Sequence, residues 1–170
     1  MGADGADIAS AGAGYVGLTS AACFCEMGHR VRLLEIDPHR LALLRRGECP
    51  IYEPGLPELL RKHLGKALQV TDRMAEAVQG AAALFACVGT PPSASGAPDL
   101  TALRRLLREL KAVPNLEGTV LVLKSTVPPG TNRMAYDALG GRIPVVSNPE
   151  FLREGTALHD FFHPDRVVVG

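Results

Sequence analysis

The sequence has no excess of either charge and no long apolar run. Its 170 residues carry 18 Lys and Arg against 18 Asp and Glu, so no net positive charge attracts nucleic acid or an anionic membrane. No apolar run approaches the length that crosses a bilayer, and residues 1–7 have neither the basic nor the apolar region of a secretory signal. We therefore predict a soluble, cytoplasmic protein that binds neither nucleic acid nor membrane.

Zinc-type cysteine spacing is also missing. The four cysteines are Cys23, Cys25, Cys49 and Cys87, and their spacing to histidine does not match that of zinc ligands. Two of them lie among apolar residues in a predicted helix. We predict reduced, structural thiols and no metal site.

Short apolar runs alternate with segments of helical periodicity, which is the pattern of βαβ units. The predicted strands are residues 8–11, 30–35, 68–70, 82–88, 119–124, 143–146 and 166–169. The predicted helices are residues 16–27, 38–46, 74–78, 100–111 and 131–139. This order predicts an α/β fold, a Rossmann-like, doubly wound, mostly parallel sheet with helices on both faces. The last predicted strand has no helix after it, so we expect residues 1–170 to be one domain of a longer protein.

A glycine-rich stretch, GAGYVG at residues 12–17, directly follows the first predicted strand. In a GxGxxG turn the first glycine permits the tight turn, the second lets a pyrophosphate approach the backbone, and the third lets helix and strand pack closely. The N–H groups and dipole at the helix start then hold the phosphates. Such a stretch can be only a turn, but its position between strand and helix favours a dinucleotide site. Its predicted contacts are Gly12, Gly14, Tyr15, Val16 and Gly17.

Two acidic residues are candidates for binding the ribose of that dinucleotide. Glu35 closes the second predicted strand about 18 residues beyond Gly17, near the expected spacing of roughly 20. Asp37 precedes Pro38, so it is well explained as a helix N-cap with proline at the first helical position. We assign Glu35 to the ribose hydroxyls, and its charge favours NAD over NADP. Arg40 is positioned to reach the adenosine ribose, although an exposed helix arginine explains it equally well.

Threonines stand at the ends of two further predicted strands. Thr90 and Thr126 are followed by Pro and Gly residues that stop each strand at the carboxyl edge, where open α/β sheets bind ligands. Each hydroxyl could instead satisfy local backbone groups, and Thr131 is explained as an N-cap. A third such end, Asn148-Pro149-Glu150, favours one shared crevice.

Together these motifs resemble the N-terminal domain of the UDP-glucose 6-dehydrogenases, in the UDP-glucose/GDP-mannose dehydrogenase family. The resemblance covers nearly the whole chain. It is carried by GAGYVGL at 12–18, PIYEPGL at 50–56, VGTP at 88–91, KSTVP at 124–128, SNPEFLREG at 147–155 and DRVVVG at 165–170. Glu35 departs from the family's commoner aspartate, which adds one methylene to the ribose contact.

The resemblance implies a four-electron oxidation of UDP-glucose to UDP-glucuronate with two NAD molecules in succession. In such enzymes a cysteine of the C-terminal domain forms a thiohemiacetal and then a thioester, and a lysine of the central region assists. By similarity, Glu150 and Thr126 would place and activate the water that hydrolyses the thioester. Glu154 would line the nicotinamide side as a catalytic and cofactor-binding residue. The resemblance assigns the contacts with the sugar nucleotide to Glu150, Phe151, Leu152 and Arg153.

Glu150 and Glu154 are four residues apart, so on a helix they would share a face. One carboxylate would then serve the water and the other would face the cofactor. The alternative is an acidic pair that complements the dipole at a helix N-terminus.

The chain also lacks parts that the resemblance requires. No cysteine has the Gly-x-Cys-Phe surroundings of the nucleophile, and Lys124 belongs to the strand-end motif and so does not replace the central lysine. We expect this segment to bind NAD without turnover. The full-length enzyme would be a dimer or larger, built through a region beyond Gly170, which leaves this segment compatible with a monomer.

Three other functions stay open at this stage. Dehydrogenases of GDP-mannose or of a UDP-N-acetylhexosamine share nearly all these motifs. A stand-alone NAD-binding module would need no catalytic residues. A methyltransferase-like Rossmann domain is disfavoured by the complete GxGxxG turn and by the two strand-end threonines.

Overall fold

The computed structural model describes residues 5–170 and contains one parallel sheet of six strands. The strands are β1 (Asp7–Ala11), β2 (Arg30–Leu34), β3 (Leu68–Thr71), β4 (Ala83–Ala86), β5 (Val120–Leu123) and β6 (Val145–Ser147). The helices are α1 (Tyr15–Glu26), α2 (Pro38–Arg45), α3 (Leu56–His63), α4 (Met74–Val78), α5 (Thr101–Lys111), α6 (Thr131–Ala138) and α7 (Ala157–Phe162). Residues 1–4, which belong to the N-terminal stretch interpreted above, lie outside the described residues.

The strand order is β3-β2-β1-β4-β5-β6, and every neighbouring pair is parallel. The chain winds outward from β1 to β3, returns to β4 beside β1, and then winds outward in the other direction. In open sheets of this kind, ligands bind at the carboxyl ends of the strands where the order reverses. The junction of β1 and β4 is therefore the expected place for a site.

The alternation of side chains along β1 shows how both faces of the sheet are covered. Successive residues of a strand point to opposite faces. Ala9 and Ala11 belong to an apolar cluster that includes side chains of α4, α5 and α6, whereas Ile8 belongs to a second cluster that includes α1, α2 and α3. This confirms the predicted doubly wound fold with helices on both faces.

The first six predicted strands and the five predicted helices are present, with ends that differ by at most two residues. The short helices α3 and α7 were not predicted. None of the helices in residues 5–170 is both long and apolar enough to cross a bilayer. The longest helix, α1, has 12 residues.

The prediction of a seventh strand at residues 166–169 was wrong. The segment meets the sheet only near its end, where Gly170 and Ser147 exchange backbone hydrogen bonds of 2.6 and 3.0 Å. The side chain of Asn148 also donates to the Val168 carbonyl at 2.9 Å. Val167 and Val169 are each 67% exposed. An apolar run forms a buried strand only where another layer covers it, and this segment has no such cover among residues 5–170.

All four cysteines are free thiols. Burial raises the pKa of Cys23 and of Cys25 to about 12, and that of Cys87 to about 11. Burial also raises the pKa of Cys49. Because the thiolate is the nucleophile, these thiols are poorly suited to covalent catalysis at neutral pH.

Candidate functional site

The glycine turn, residues 12–17, connects β1 to α1 at the carboxyl edge of the sheet. Gly12 has a φ of +98°, and a Cβ added there would lie 2.8 Å from the carbonyl oxygen of Cys87. A Cβ added at Gly17 would lie 1.8 Å from the carbonyl oxygen of Gly12. The fold itself therefore requires glycine at both positions, because any side chain would collide with backbone.

Gly14 is different, because nothing in the fold requires a glycine there. Its φ of −75° and ψ of −171° suit any residue, and the nearest atom to an added Cβ is Nη1 of Arg40 at 4.0 Å. Gly14 caps α1 without a side-chain hydrogen bond, and the first turn of α1 has no acidic residue. The helix start thus offers N–H groups and an open approach, which fits the diphosphate of a dinucleotide.

Glu35 directly follows β2 and is bonded to the glycine turn. The residue is 5% exposed, and its carboxylate accepts hydrogen bonds from the N–H of Ala13 at 2.9 Å and of Asp37 at 2.8 Å. Asp37 is the N-cap of α2, as predicted, since its carboxylate accepts from the N–H of Arg40 at 2.8 Å. The two acidic residues therefore have different contacts: Glu35 binds the glycine turn, and Asp37 caps α2.

A cavity of about 360 Å³ adjoins Gly12 and Glu35. Its walls include Ile36 after β2, Val88 after β4, and Leu106 of α5. None of these three residues was predicted to be a site residue. The predicted helix of α5 showed an apolar face, but only the three-dimensional fold shows that Leu106 of that face lines a cavity as well as belonging to the core.

Hydrogen bonds connect the ends of β4, β5 and β6. The Thr90 hydroxyl donates to the Thr126 carbonyl at 2.9 Å, and the Ser125 hydroxyl donates to the Val88 carbonyl at 2.6 Å. The Lys124 ammonium donates to the Asn148 side chain at 3.1 Å. The three strand ends therefore form one continuous edge, although the Thr90 hydroxyl satisfies a backbone group and the Thr126 side chain is exposed.

The prediction that Thr131 is the N-cap of α6 was wrong. Gly130, with a φ of +86°, occupies the N-cap position, and Thr131 is the first residue of the helix. The Thr131 hydroxyl donates back to the Pro128 carbonyl at 2.7 Å. A glycine in the left-handed region makes the turn here, so the hydroxyl serves the loop instead of the helix.

Lys124 is 7% exposed at the end of β5. Burial lowers its pKa, and the nearby Cys87 and Glu150 partly oppose that change by favouring the charged form. Lys124 and Glu150 line a second cavity of about 440 Å³, together with Phe151, Leu152 and Arg153.

Residues 148–157, called here the 148–157 segment, follow β6 and lead into α7. They were predicted to include a helix that carries Glu150 and Glu154 on one face, and this was wrong. No helix precedes Ala157 in the segment, so the alternative of a helix-dipole pair fails as well.

Carboxylates bind the N–H groups that a helix in this segment would have used. Glu150 accepts from the N–H of Leu152 at 2.6 Å, and Asp160 accepts from the N–H of Arg153 at 3.0 Å. Glu53 accepts from the N–H of Gly155 and of Ala157, both at 2.8 Å. These bonds fix the segment in an irregular conformation.

Two side chains predicted to contact a sugar nucleotide already have partners within the chain. The guanidinium of Arg153 pairs with Asp160 at 2.6 Å, and this contact holds the pKa of the Asp160 carboxyl well below its usual value. The guanidinium of Arg166 lies 4.7 Å from the ring centre of Phe151, which is 47% exposed. Glu154, in contrast, is exposed and accepts no hydrogen bond within residues 5–170.

Tyr15 connects the glycine turn with the 148–157 segment. Its hydroxyl donates to Glu53 at 2.5 Å, and the same oxygen lies 3.1 Å from the carbonyl oxygen of Arg153. Glu53 was not predicted as a site residue. It lies in the quoted PIYEPGL motif, where a charged residue between apolar neighbours was the signal available in the sequence.

The strand order, the glycine turn at the end of β1 and the acidic residue at the end of β2 define a dinucleotide-binding domain of the Rossmann type. The sequence model of the UDP-glucose/GDP-mannose dehydrogenase family, NAD binding domain, matches residues 6–170. This chain belongs to that family and is its NAD-binding domain, and its cofactor is NAD.

The relatives are longer than this chain. A UDP-glucose 6-dehydrogenase of Pseudomonas aeruginosa is 46% identical over an alignment of 169 residues, which covers 94% of this chain and 37% of that protein. A solved UDP-glucose dehydrogenase of Pyrobaculum islandicum has 39% identity and a TM-score of 0.87, over 99% of this chain and 41% of that one. A GDP-mannose dehydrogenase of Pseudomonas aeruginosa also has a TM-score of 0.87, with 34% identity over 96% of this chain and 40% of that one.

Proposed function

We propose that this chain supplies the cofactor site and part of the active site of an enzyme that oxidises UDP-glucose to UDP-glucuronate with two NAD molecules. The observation that carries the cofactor part of the proposal is Gly14. The fold tolerates a side chain there, so glycine is explained by the close approach of a diphosphate to the start of α1.

The cofactor would lie along the carboxyl edge of the sheet. Gly12, Gly14, Tyr15, Val16 and Gly17 would surround the diphosphate. Glu35 and Arg40 flank the turn and would bind the adenosine ribose, beside the cavity at Ile36 and Leu106. The nicotinamide end would be placed by the residues after β4, β5 and β6, namely Thr90, Thr126 and Glu154.

When bound, NAD supplies the acceptor for the hydride that leaves the substrate carbon. The work of this chain's residues is to hold water and substrate. One oxygen of Glu150 accepts from the Leu152 N–H, which leaves the other oxygen available to accept a proton from water. Thr126, whose side chain is exposed on the neighbouring strand end, would position that water, while Phe151, Leu152 and Arg153 would contact the sugar nucleotide.

We further propose that residues 1–170 are the N-terminal domain of a longer cytoplasmic enzyme that forms a dimer or larger assembly. The pKa of every cysteine in the chain is raised by burial, so a nucleophilic cysteine and its lysine would have to come from elsewhere. GDP-mannose is the second candidate substrate, because the solved GDP-mannose dehydrogenase matches the fold as well as the UDP-glucose enzyme does.

Calorimetry of this chain with NAD and NADP tests the cofactor site. We expect NAD to bind with a dissociation constant at least tenfold below that of NADP, about 1.4 kcal/mol, because the Glu35 carboxylate repels a 2′-phosphate. Absence of heat with millimolar NAD would contradict the proposal. For the substrate, the enzyme that contains this chain should form NADH with UDP-glucose and not with GDP-mannose, and the reverse result would support the second candidate.

A further inference from the structure

Glu53 is a buried carboxylate that joins three parts of the molecule. Its side chain is bonded to the Tyr15 hydroxyl of α1 and to the N–H groups of Gly155 and Ala157, while the residue is 2% exposed. A buried charge is costly unless it is fully hydrogen-bonded, and here three donors converge on it. The bonds to Gly155 and Ala157 span 102 and 104 residues of sequence.

The loop that carries Glu53 is itself fixed. Gly55, with a φ of +82°, is the N-cap of α3, and a Cβ added at Gly55 would lie 3.1 Å from the side chain of Leu158 in α7. The start of α3 thus lies directly beneath α7. Glu53 therefore projects from a rigid base towards the segment that it binds.

This arrangement contacts both peptide groups that adjoin Glu154 and holds one of them by a hydrogen bond. On one side, the carbonyl oxygen of Arg153 lies 3.1 Å from the Tyr15 oxygen, and on the other, the N–H of Gly155 donates to Glu53. The Glu154 side chain is exposed between them. Its backbone position relative to the glycine turn is consequently set by Tyr15 and Glu53.

We infer that Glu53 is a positioning residue for cofactor binding, which acts by holding Glu154 at a fixed place relative to the glycine turn through Tyr15 and Gly155. The inference rests on the proposed function, in which Glu154 lines the nicotinamide side. It goes further by assigning a role to the PIYEPGL loop, which lies remote in sequence from both the turn and the segment.

The protonation states agree with this geometry. Burial raises the pKa of Glu53, but the hydrogen bonds from Tyr15, Gly155 and Ala157, together with the nearby Leu158 backbone, lower it by more. Burial and the Glu53 carboxylate raise the pKa of Tyr15. At neutral pH the carboxylate is thus ionised and the phenol is neutral, so the phenol is the donor and the carboxylate the acceptor.

A double-substitution cycle on the 170-residue chain tests the inference, with NAD affinity measured by calorimetry. A glutamine at position 53 can accept through only one side-chain atom, so Glu53→Gln must lose at least one of the three bonds. We expect Glu53→Gln and Glu154→Gln each to weaken NAD binding about fivefold. In the Glu53→Gln background, Glu154→Gln should change the affinity less than twofold, because the carboxylate is already misplaced.

The matched control is Glu58→Gln in α3. The Glu58 side chain is 70% exposed and pairs with Arg61, so the same chemical change there should leave NAD affinity unaltered and should not alter the effect of Glu154→Gln. If the effects of Glu53→Gln and Glu154→Gln multiply as independent factors, Glu53 acts on stability alone and the inference is overturned.

If Glu53→Gln does not give a cooperative thermal transition, Tyr15→Phe provides a second test of the inference. This substitution removes the hydroxyl but leaves both backbone bonds to Glu53, and we expect it to reduce the effect of Glu154→Gln at least twofold. Independent effects of Tyr15→Phe and Glu154→Gln would again overturn the inference. A wild-type chain that binds no NAD would instead contradict the proposed function, and the inference with it.

Discussion

The glycine turn and the 148–157 segment lie at the same edge of the sheet but are held by different kinds of contact. In the turn, Gly12 is constrained by the carbonyl oxygen of Cys87, and Gly17 is constrained by the carbonyl oxygen of Gly12. In the segment, the N–H groups of Gly155 and Ala157 are bonded to a side chain more than 100 residues away. The turn is specified by steric limits, whereas the segment is specified by buried carboxylates.

The two kinds of contact tolerate different changes. A steric limit is broken by any added atom, so the turn should fail abruptly and the whole domain with it. Carboxylate contacts depend on charge, so the segment should loosen gradually as protons are added while the sheet persists. The segment can thus be perturbed while the turn persists.

The largest effect is expected from Gly17→Ala. The added methyl would lie 1.8 Å from the Gly12 carbonyl oxygen, so either the turn or α1 must move. We expect a loss of about 3 kcal/mol in the free energy of unfolding, at the upper end for overpacking of a core. Urea denaturation followed by circular dichroism measures it, and a loss below about 1 kcal/mol would show that the turn is not sterically limited.

Gly14→Ala separates ligand binding from folding within the same turn. An added methyl meets no atom closer than 4.0 Å, so the free energy of unfolding should stay within about 0.5 kcal/mol of the wild-type value. NAD affinity should fall at least tenfold, about 1.4 kcal/mol, because the methyl occupies the approach of the diphosphate. Unchanged affinity in calorimetry would remove the assigned role of Gly14.

Asp37→Ala tests a carboxylate contact that is local in sequence. Loss of the hydrogen bond to the Arg40 N–H should cost about 1 kcal/mol of stability, the usual size for an N-cap. NAD affinity should change little, since Glu35 is the residue assigned to the ribose. A large loss of NAD affinity with little loss of stability would show that Asp37, and not Glu35, binds the ribose.

Acid should loosen the 148–157 segment before it unfolds the sheet. Hydrogen bonds lower the pKa of Glu53 and of Asp160 in the folded chain, so their stabilisation is complete above the unfolded pKa values of about 4 and is lost as pH falls through the folded values. In an NMR titration, the amide signals of Arg153, Gly155 and Ala157 should move below about pH 4. Amides of β1 and β4 should stay unchanged over the same range, and simultaneous movement of both groups would contradict the distinction.

The sheet and the turn could be predicted because their signals in the sequence are local. An apolar run followed by GAGYVG indicates strand, turn and helix without knowledge of any distant residue. α5 was predicted for the same reason, since Leu103, Leu106, Leu107 and Leu110 recur at helical spacing and are all buried. Glu35 could be identified from its distance along the chain, and the structure places it against the turn.

The conformation of the 148–157 segment could not be predicted, because its determinants are remote. The spacing of Glu150 and Glu154 suits a helix, but Asp160 and Glu53 take the N–H groups. Helices α3 and α7, with eight and six residues, were also missed, and Gly55 starts α3 through a left-handed turn, so no polar N-cap marks that start in the sequence. Residues 166–169 were misassigned because an apolar run alone does not show whether another layer covers it.

The separation between Glu53 and its partners has a consequence for synthesis on the ribosome. The loops that these bonds close, of 102 and 104 residues, cannot form until nearly all of the domain has emerged from the exit tunnel. The glycine turn needs only β1, β4 and the residues between them. A growing chain can therefore form the glycine turn well before the 148–157 segment, which carries Glu150 and Glu154, becomes ordered.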